Sequence, residues 1–204
     1  QVKRKTDEGD GEHMAVKIGL VGTGTVGGGC LEILANHKQD FLRHFGIDLE
    51  LVRVCSRKPD VARAYGVEDI FTTNYHDVVN DPNVDLVVEL VGGTGVAKEV
   101  IVEALKAGKN VVTANKAIMA TAGEEIMGLA DEKGLEIAFE ASVGGGIPII
   151  DPLKHSLIAN RIDSIMGIVN GTTNYMLTRM DEDNLSYETC LLYTSPSPRD
   201  LSTS

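Results

Sequence analysis

Three glycines near the start of the chain have a spacing that could bind a phosphate group. Gly22, Gly24 and Gly27 form the pattern G-x-G-x-x-G within the segment GLVGTGTVGGGC. A β-branched run, AVKIGLV, precedes them, and apolar residues at helical spacing follow from Thr25. A glycine turn between a strand and a helix is typical of dinucleotide sites, because N–H groups at the helix start face the pyrophosphate. This context favours a dinucleotide site over a plain glycine-rich turn.

The end of the second predicted strand bears on which dinucleotide would bind. NAD-binding units usually have an Asp or Glu there, hydrogen-bonded to the ribose 2′-hydroxyl. This chain instead has Ser56, Arg57 and Lys58. A guanidinium beside a hydroxyl suits a 2′-phosphate, which predicts NADP as the cofactor, with NAD as the alternative. A solvated basic turn without a binding role is the other interpretation.

Two further strand ends have residue types that could serve a cofactor or substrate. Gly92, Gly93 and Thr94 follow the run VVELV, where ligands of doubly wound sheets bind, although an ordinary strand-to-helix turn explains them equally well. Lys116 follows the run NVVTA and could bind a carboxylate or alkoxide, or transfer a proton. A lone lysine on a loop is more commonly only solvated.

A glycine-rich segment, FEASVGGGIP, has the composition of a cation site. Glu140 is followed by three consecutive glycines, which expose backbone carbonyl groups in close succession. A carboxylate together with several carbonyl oxygens suits a hard cation. A glycine hinge between domains is the simpler interpretation, and the two are compatible.

Strands and helices alternate from residue 15 onward, which predicts a parallel sheet with helices on both faces. Glu89 lies within one of the apolar strands and is interpreted as a structural acid whose oxygens are hydrogen-bonded. The predicted fold class is α/β, a Rossmann-type doubly wound parallel sheet. Apolar runs predict strands over residues 15–21, 49–55, 84–91, 110–114 and 135–141.

Two of the intervening helices have predicted details that a structure can check. Thr121 and Glu124 fit the S/T-x-x-E capping box, which predicts that a helix begins there. The helix before it has four apolar residues at helical spacing, which predicts that they form its buried face. These four residues are Val96, Val100, Ala104 and Leu105.

The character of the sequence changes at both ends and beyond Gly146. A helix over about 151–159 and a strand over 162–169, followed by another helix, indicate a second domain. The last residues are rich in Ser, Pro and Thr, which predicts disorder. We interpret them as a non-native linker, with a natural disordered tail as the alternative. The predicted segments are a disordered extension (1–13), an NAD(P)-binding domain (14–146), the start of a second domain (147–189) and a disordered tail (190–204).

Composition excludes several classes of function. The 204 residues carry a net charge of −11, which disfavours nucleic acid as a partner. No apolar run is long enough to span a membrane, and the polar N-terminus has no signal-peptide core, so we expect a cytoplasmic protein. Cys30, Cys55 and Cys190 have no metal-ligand spacing and are interpreted as reduced thiols.

Five motifs, in the order in which they occur along residues 14–189, resemble those of the homoserine dehydrogenase family. They are GLVGTGTVGGG, VVELVGGT, VVTANKA, FEASVGGGIPII and GIVNGTTNYML. The resemblance implies NAD(P)H-dependent interconversion of aspartate 4-semialdehyde and homoserine, in threonine and methionine biosynthesis. It also implies a homodimer whose Rossmann domain precedes an α+β catalytic and dimerisation domain, here truncated. No aspartate-kinase region precedes the glycine loop, as in the monofunctional members.

The resemblance also implies a role for individual residues. Lys116 would lie beside the reacting oxygen as a catalytic residue, and Asn170–Tyr175 would close over the cleft. The residues implied to bind the cofactor are Gly22, Thr23, Gly24, Thr25, Val26, Gly27, Arg57, Gly93, Thr94 and Lys116. A monovalent cation such as Na⁺ would be held by Glu140 and the backbone carbonyls of Val143, Gly145 and Ile147.

The chain departs from the family pattern after Glu188. Family members continue into an aspartate and a second lysine that hold the substrate and donate the proton, whereas this sequence runs into the Ser/Pro-rich tail. We therefore expect an N-terminal fragment with little or no activity. Two alternatives remain: another NADP-dependent reductase of amino-acid metabolism, such as one acting on diaminopimelate, and a non-catalytic nucleotide-binding module.

Overall fold

The computed structural model describes residues 15–167 and 170–194, with side chains up to residue 191. The chain divides after Ile158 into two compact units. Among the described helices, none is long and apolar enough to cross a membrane. Cys30, Cys55 and Cys190 form no disulfide in the part of the chain that the structure describes.

A six-stranded parallel sheet forms the centre of the first unit. Its strand order is β3-β2-β1-β4-β5-β6, and every pairing is parallel. The direction in which strands are added reverses between β1 and β4, which creates the crevice where ligands of doubly wound sheets bind. The strands are β1 Ala15–Val21, β2 Asp48–Cys55, β3 Phe71–Thr72, β4 Leu86–Glu89, β5 Asn110–Thr113 and β6 Ile137–Ala138.

Helices cover both faces of this sheet, which confirms the predicted fold class. Adjacent residues of β4, Val87 and Val88, are both buried but belong to separate apolar clusters, because successive strand residues point to opposite faces. The helices of this unit are α1 Thr25–Asn36, α2 Lys38–Phe45, α3 Asp60–Tyr65, α4 His76–Val79, α5 Gly95–Lys106, α6 Lys116–Lys133 and α7 Glu140–Val143. A 3₁₀ turn spans Glu68–Ile70, and a π-helical turn spans Pro152–Ser156.

One residue of the predicted α5 face and the predicted start of α6 were wrong. Val100, Ala104 and Leu105 are buried as predicted, but Val96 is 47% exposed, and Ala97 and Ile101 complete the buried face instead. Helix α6 begins five residues before Thr121, since the side chain of Asn115 accepts a hydrogen bond from the Ile118 N–H and caps it. The Thr121 hydroxyl donates to the Ala117 carbonyl within the helix, so no capping box forms there.

The second unit differs more from the sequence prediction. Residues 162–167, the described part of the predicted strand, form no strand, and Met166 is 94% exposed. A strand needs a partner for its backbone groups, and within the described residues this segment pairs with none. Helix α8, Gly171–Glu182, confirms the predicted helix, and Asn170 caps it.

The limits of three other predicted segments also changed. The strand predicted over 135–141 is only Ile137–Ala138, and Glu140–Val143 form helix α7 instead. The helix predicted over about 151–159 is a single π-helical turn, Pro152–Ser156. Helix α9, Tyr187–Thr194, continues past residue 190, where we expected the tail to begin, because Ser186 caps its first turn and Cys190 is buried. The remaining predicted extension and tail, residues 1–13 and 195–204, lie outside the described residues.

Candidate functional site

The glycine turn after β1 lies at the carboxyl edge of the sheet, beside the point where the strand order reverses. The Gly22 N–H donates to the Cys55 carbonyl at 2.9 Å, and the Leu90 N–H donates to the Val21 carbonyl at 2.7 Å. These bonds join the turn to the ends of both neighbouring strands, β2 and β4. The turn is thus a fixed part of the crevice.

Two of the three glycines are required by the protein itself. Gly22 has φ +101°, and a Cβ there would lie 2.5 Å from the backbone of Leu90. A Cβ on Gly27 would overlap the carbonyl oxygen of Gly22. These residues let α1 and β4 approach the turn closely, the role that the fingerprint assigns to glycines next to a phosphate turn.

Gly24 is different, because nothing in the protein requires glycine there. Its φ of −69° is accessible to any residue, and a Cβ would meet no atom within 4 Å. It stands at the N-cap of α1, whose first turn has no side-chain cap and no acidic residue. Since the first N–H groups of a helix have no intrahelical acceptor, this open position is suited to an anion.

The loop after β2 is joined to the glycine turn by a side-chain contact. The Thr23 hydroxyl donates to Ser56 Oγ at 2.5 Å, and the Lys58 N–H donates to the same oxygen at 3.2 Å. Ser56 is buried, whereas Arg57 and Lys58 are exposed and form no ion pair with any described residue. Ser56 therefore anchors the basic residues next to the turn, with the guanidinium of Arg57 free.

Sequence reasoning did not assign Ser56 this anchoring role. Strand pairing contains the missing information, because Val21 lies opposite Cys55 in the parallel register. The residues that follow these two strands must then be neighbours at the same edge. Thr23 and Ser56 could have been paired on that basis once β1 and β2 were recognised as adjacent.

The loops after β4 and β5 also meet at this edge. Gly92 and Gly93 have φ values of +79° and +72°, and Thr94 follows them as the N-cap of α5. The Asn115 Nδ2 donates to the Gly93 carbonyl at 2.7 Å. Lys116 is the first residue of α6, is exposed, and makes no ion pair with the described residues. Asn115 therefore joins the loop that contains Gly93 to the start of α6, where Lys116 lies.

Glu89 confirms its interpretation as a structural acid. It is fully buried, and its carboxylate accepts from the Val91 N–H and from the Thr113 hydroxyl, both at 2.7 Å. The buried Ser142 hydroxyl donates to the Thr113 carbonyl at 3.0 Å, which connects α7 to the end of β5. Thr113, Asn115 and Ser142 were not predicted as site residues, since only the sheet brings their distant segments together.

Glu140 uses both carboxylate oxygens for backbone N–H groups. Oε1 accepts from Ile149 at 2.6 Å and Ile150 at 2.9 Å, and Oε2 accepts from Asp151 at 2.7 Å. These three bonds, that from Ile149 foremost, lower the pKa of Glu140 from its usual 4.5.

The other predicted cation ligands lie close to Glu140 in the chain. Val143 ends α7, and Gly145 and Ile147 are exposed in the loop that follows. The described residues contain no group of three or more His, Cys, Asp or Glu side chains that could hold a metal ion. A cage of one carboxylate and backbone carbonyls is a different ligand set, so the cation site stays a prediction.

The three backbone N–H bonds to the Glu140 carboxylate predict that the protein loses stability at acid pH. Its folded pKa lies below the unfolded value, so its stabilisation is present at neutral pH and is lost as pH falls below 4.5 through the folded pKa. Glu140→Gln removes the charge, and we expect a lower Tm than wild type at pH 7. The two Tm values should converge toward pH 3, which differential scanning calorimetry would measure.

Glu124→Gln is the matched control for this comparison. Glu124 is exposed in α6 and forms no ion pair with the described residues, so its Tm difference should be small and independent of pH. A Tm difference for Glu140→Gln that stays constant from pH 7 to pH 3 would contradict the role of the carboxylate charge.

Two family models match the chain in sequence order. The model "Homoserine dehydrogenase, NAD binding domain" matches residues 22–140, and the model "Homoserine dehydrogenase" matches residues 148–195. The chain belongs to the homoserine dehydrogenase family. The first match contains the glycine turn, the basic loop and the Gly93–Lys116 region, and the second extends past residue 189, where we expected this domain to end.

Relatives and solved structures of homoserine dehydrogenases agree with this membership. The homoserine dehydrogenase of Bacillus subtilis is 42% identical over 87% of the chain, and that of Synechocystis sp. is 45% identical over 87%. The crystal structure of the Thiobacillus denitrificans homoserine dehydrogenase has a TM-score of 0.78 and 41% identity, and covers 90% of this chain and 44% of that one. The chain spans 41% of the length of the Bacillus subtilis relative and 41% of the length of the Synechocystis relative.

A structure of a hyperthermophilic archaeal homoserine dehydrogenase in complex with NADPH also matches. Its TM-score is 0.71 with 26% identity, over 91% of this chain and 63% of that one. The family resemblance and the Rossmann-type fold predicted from the sequence are both confirmed.

Proposed function

We propose that this chain provides the dinucleotide-binding part of a homoserine dehydrogenase, which interconverts aspartate 4-semialdehyde and homoserine. The observation that carries the proposal is Gly24, a glycine that the protein does not itself need, at the open start of α1. A side chain is missing there because a pyrophosphate must approach the helix N-terminus. Both family models carry the homoserine dehydrogenase description, which favours this reaction over the other reductases and over a non-catalytic module.

The cofactor halves would bind on the two sides of the strand reversal. Gly22–Gly27 would hold the pyrophosphate through backbone N–H groups, with Thr25 and Val26 in the first turn of α1. Gly93, Thr94 and Lys116 would line the nicotinamide side. The bound nicotinamide supplies or accepts the hydride in this reaction, and the ammonium of Lys116 would hold the reacting oxygen and stabilise its developing charge.

We propose NADP as the preferred cofactor because of the loop after β2. Arg57 is exposed and has no acidic partner among the described residues, while Ser56 anchors its loop to the glycine turn. A free guanidinium suits the 2′-phosphate of NADP, and an Asp or Glu for the ribose of NAD is absent from this position. The archaeal relative is solved in complex with NADPH, which supports a nicotinamide dinucleotide as the cofactor.

Replacing Arg57 tests this cofactor preference. Arg57→Ala removes a charge-assisted contact to the 2′-phosphate, so the Kd for NADPH should rise about 10–100-fold, while the Kd for NADH should change less than about twofold. Isothermal titration calorimetry with both cofactors measures the two changes.

Arg43→Ala provides the control for net charge. Arg43 is exposed in α2 and makes no ion pair with the described residues, so its loss should leave both Kd values unchanged. Equal weakening of NADPH and NADH by Arg57→Ala would refute the assignment of the 2′-phosphate to this residue.

A monovalent cation such as Na⁺ forms part of the proposal. Glu140 accepts three backbone N–H bonds, and a carboxylate has about four acceptor positions, so one remains for a cation. The carbonyl groups of Val143, Gly145 and Ile147 would supply the other oxygens. The family resemblance also carries the expectation of a homodimer in the cytoplasm that serves threonine and methionine biosynthesis.

A further inference from the structure

We propose that Asn115 is a positioning residue that holds the Gly92–Gly93 loop in register with Lys116. The proposal rests on the proposed function, in which this loop and Lys116 line the nicotinamide side of the site. It assigns to Asn115 a role in cofactor binding that goes beyond capping α6. The side chain touches neither substrate nor cofactor, and acts through the Gly93 carbonyl.

The Asn115 amide makes two hydrogen bonds with different requirements. Its Oδ1 accepts from the Ile118 N–H at 3.2 Å, a helix cap that Asp, Ser or Thr could equally provide. Its Nδ2 donates to the Gly93 carbonyl at 2.7 Å. An ionised Asp has no donor for this bond, and Ser or Thr carries donor and acceptor on one oxygen, whereas Asn has them on two separate atoms. The second bond explains why an amide stands at this position.

The loop that Asn115 holds has little else to hold it. Gly92 and Gly93 are exposed, have consecutive left-handed conformations, and have no packing atom within 4 Å of where a Cβ would lie. Within the described residues, two side chains hydrogen-bond to residues 91–93: Glu89 accepts from the Val91 N–H, and Asn115 donates to the Gly93 carbonyl. Consecutive glycines are conformationally free, so these two bonds determine where the loop lies.

The two side chains belong to one buried chain of hydrogen bonds. The carboxylate of Glu89 accepts from the Thr113 hydroxyl at 2.7 Å, and Thr113 Oγ1 accepts from the Asn115 N–H at 3.0 Å. All three residues are at most 8% exposed. Lys116 follows Asn115 directly in the chain. A displacement of the Asn115 side chain therefore moves the Gly93 carbonyl relative to Lys116, while the sheet stays intact.

Asn115→Asp separates the two roles of the amide. Aspartate retains the cap of α6, but its carboxylate would face the Gly93 carbonyl oxygen and repel it. We expect the Kd for NADPH to rise about tenfold, and the melting temperature to fall as well, because the carboxylate replaces a buried hydrogen-bond donor. The Kd for adenosine 2′,5′-bisphosphate, which lacks the nicotinamide half, should stay the same.

The measurement uses the whole chain and two readouts. Nicotinamide fluorescence reports NADPH binding, and calorimetry reports binding of adenosine 2′,5′-bisphosphate. Asn74→Asp is the matched control, since Asn74 is exposed before α4 and its substitution should change neither Kd. Asn115→Ser, which keeps a neutral cap and loses the amide donor, gives a second variant with a smaller expected rise in the NADPH Kd.

The outcomes distinguish this proposal from the proposed function. Unchanged NADPH binding in both Asn115 variants would show that the residue is only a helix cap, and would overturn the inference. Parallel weakening of both ligands would indicate a general structural defect and would also overturn it. Failure of the wild-type chain to bind either nucleotide would refute the dinucleotide site itself.

Discussion

Gly27→Ala will lower the free energy of unfolding by about 3 kcal/mol, although alanine is the better helix former. Gly27 is buried in the first turn of α1, and an added Cβ would overlap the carbonyl oxygen of Gly22. That oxygen belongs to the turn whose N–H is bonded to Cys55, so neither side can move easily. A loss of about 3 kcal/mol is a large part of the 5–15 kcal/mol typical of a folded domain. Urea denaturation followed by circular dichroism would measure it.

Gly29→Ala tests whether the clash, rather than the substitution in α1, causes the loss. A Cβ on Gly29 would meet no atom within 4 Å, so alanine should raise stability by about 1 kcal/mol through its helix propensity. Gly27→Ala and Gly29→Ala, both in α1, are thus expected to change the free energy of unfolding in opposite directions. If both substitutions raise stability, α1 does not approach the glycine turn as closely as described, and the predicted clash is wrong.

Gly24→Ala should abolish most cofactor binding while leaving the fold intact. The position is open, with backbone angles that alanine can adopt, so the free energy of unfolding should change by less than about 1 kcal/mol. In the complex, however, the methyl group would stand between the pyrophosphate and the N–H groups of α1. Loss of these charge-assisted bonds should raise the Kd for NADPH about 100-fold, as measured by nicotinamide fluorescence.

The comparison with Gly29→Ala isolates the ligand from the protein. Gly29 lies one turn further along α1, outside the first-turn N–H groups, so its substitution should leave the NADPH Kd unchanged. Retention of wild-type affinity by Gly24→Ala would refute the pyrophosphate position. Unfolding of that variant would contradict the open environment of Gly24.

Much of the first unit could be predicted from local patterns. Strands β1 and β4 are buried on both faces, so their apolar runs are nearly continuous, and the glycine turn between β1 and α1 follows directly. Short elements could not be predicted in the same way. Strand β3 has two residues, and its pairing with β2 depends on the sheet rather than on its own composition.

The errors occurred where a tertiary contact outweighed a local pattern. Thr121 and Glu124 fit a capping box, but α6 begins earlier in the chain, where Asn115 caps it. Asn115 is itself hydrogen-bonded to Thr113 and Gly93. Residues 162–167 have β-branched residues without a described partner strand. Contacts such as Thr23 to Ser56 join segments 33 residues apart, and only the strand order brings such segments together.

The strand order reverses between β1 and β4, and this reversal separates two groups of proposed site residues along the chain. Among the described residues, those proposed for the pyrophosphate and the 2′-phosphate come before Thr72, and those proposed for the nicotinamide side come after Leu86. On the proposed function, coenzyme choice and the chemistry at the reacting carbon would thus be encoded in separate stretches of sequence. Natural selection could alter either stretch, by point substitution or by recombination, with little disturbance to the other.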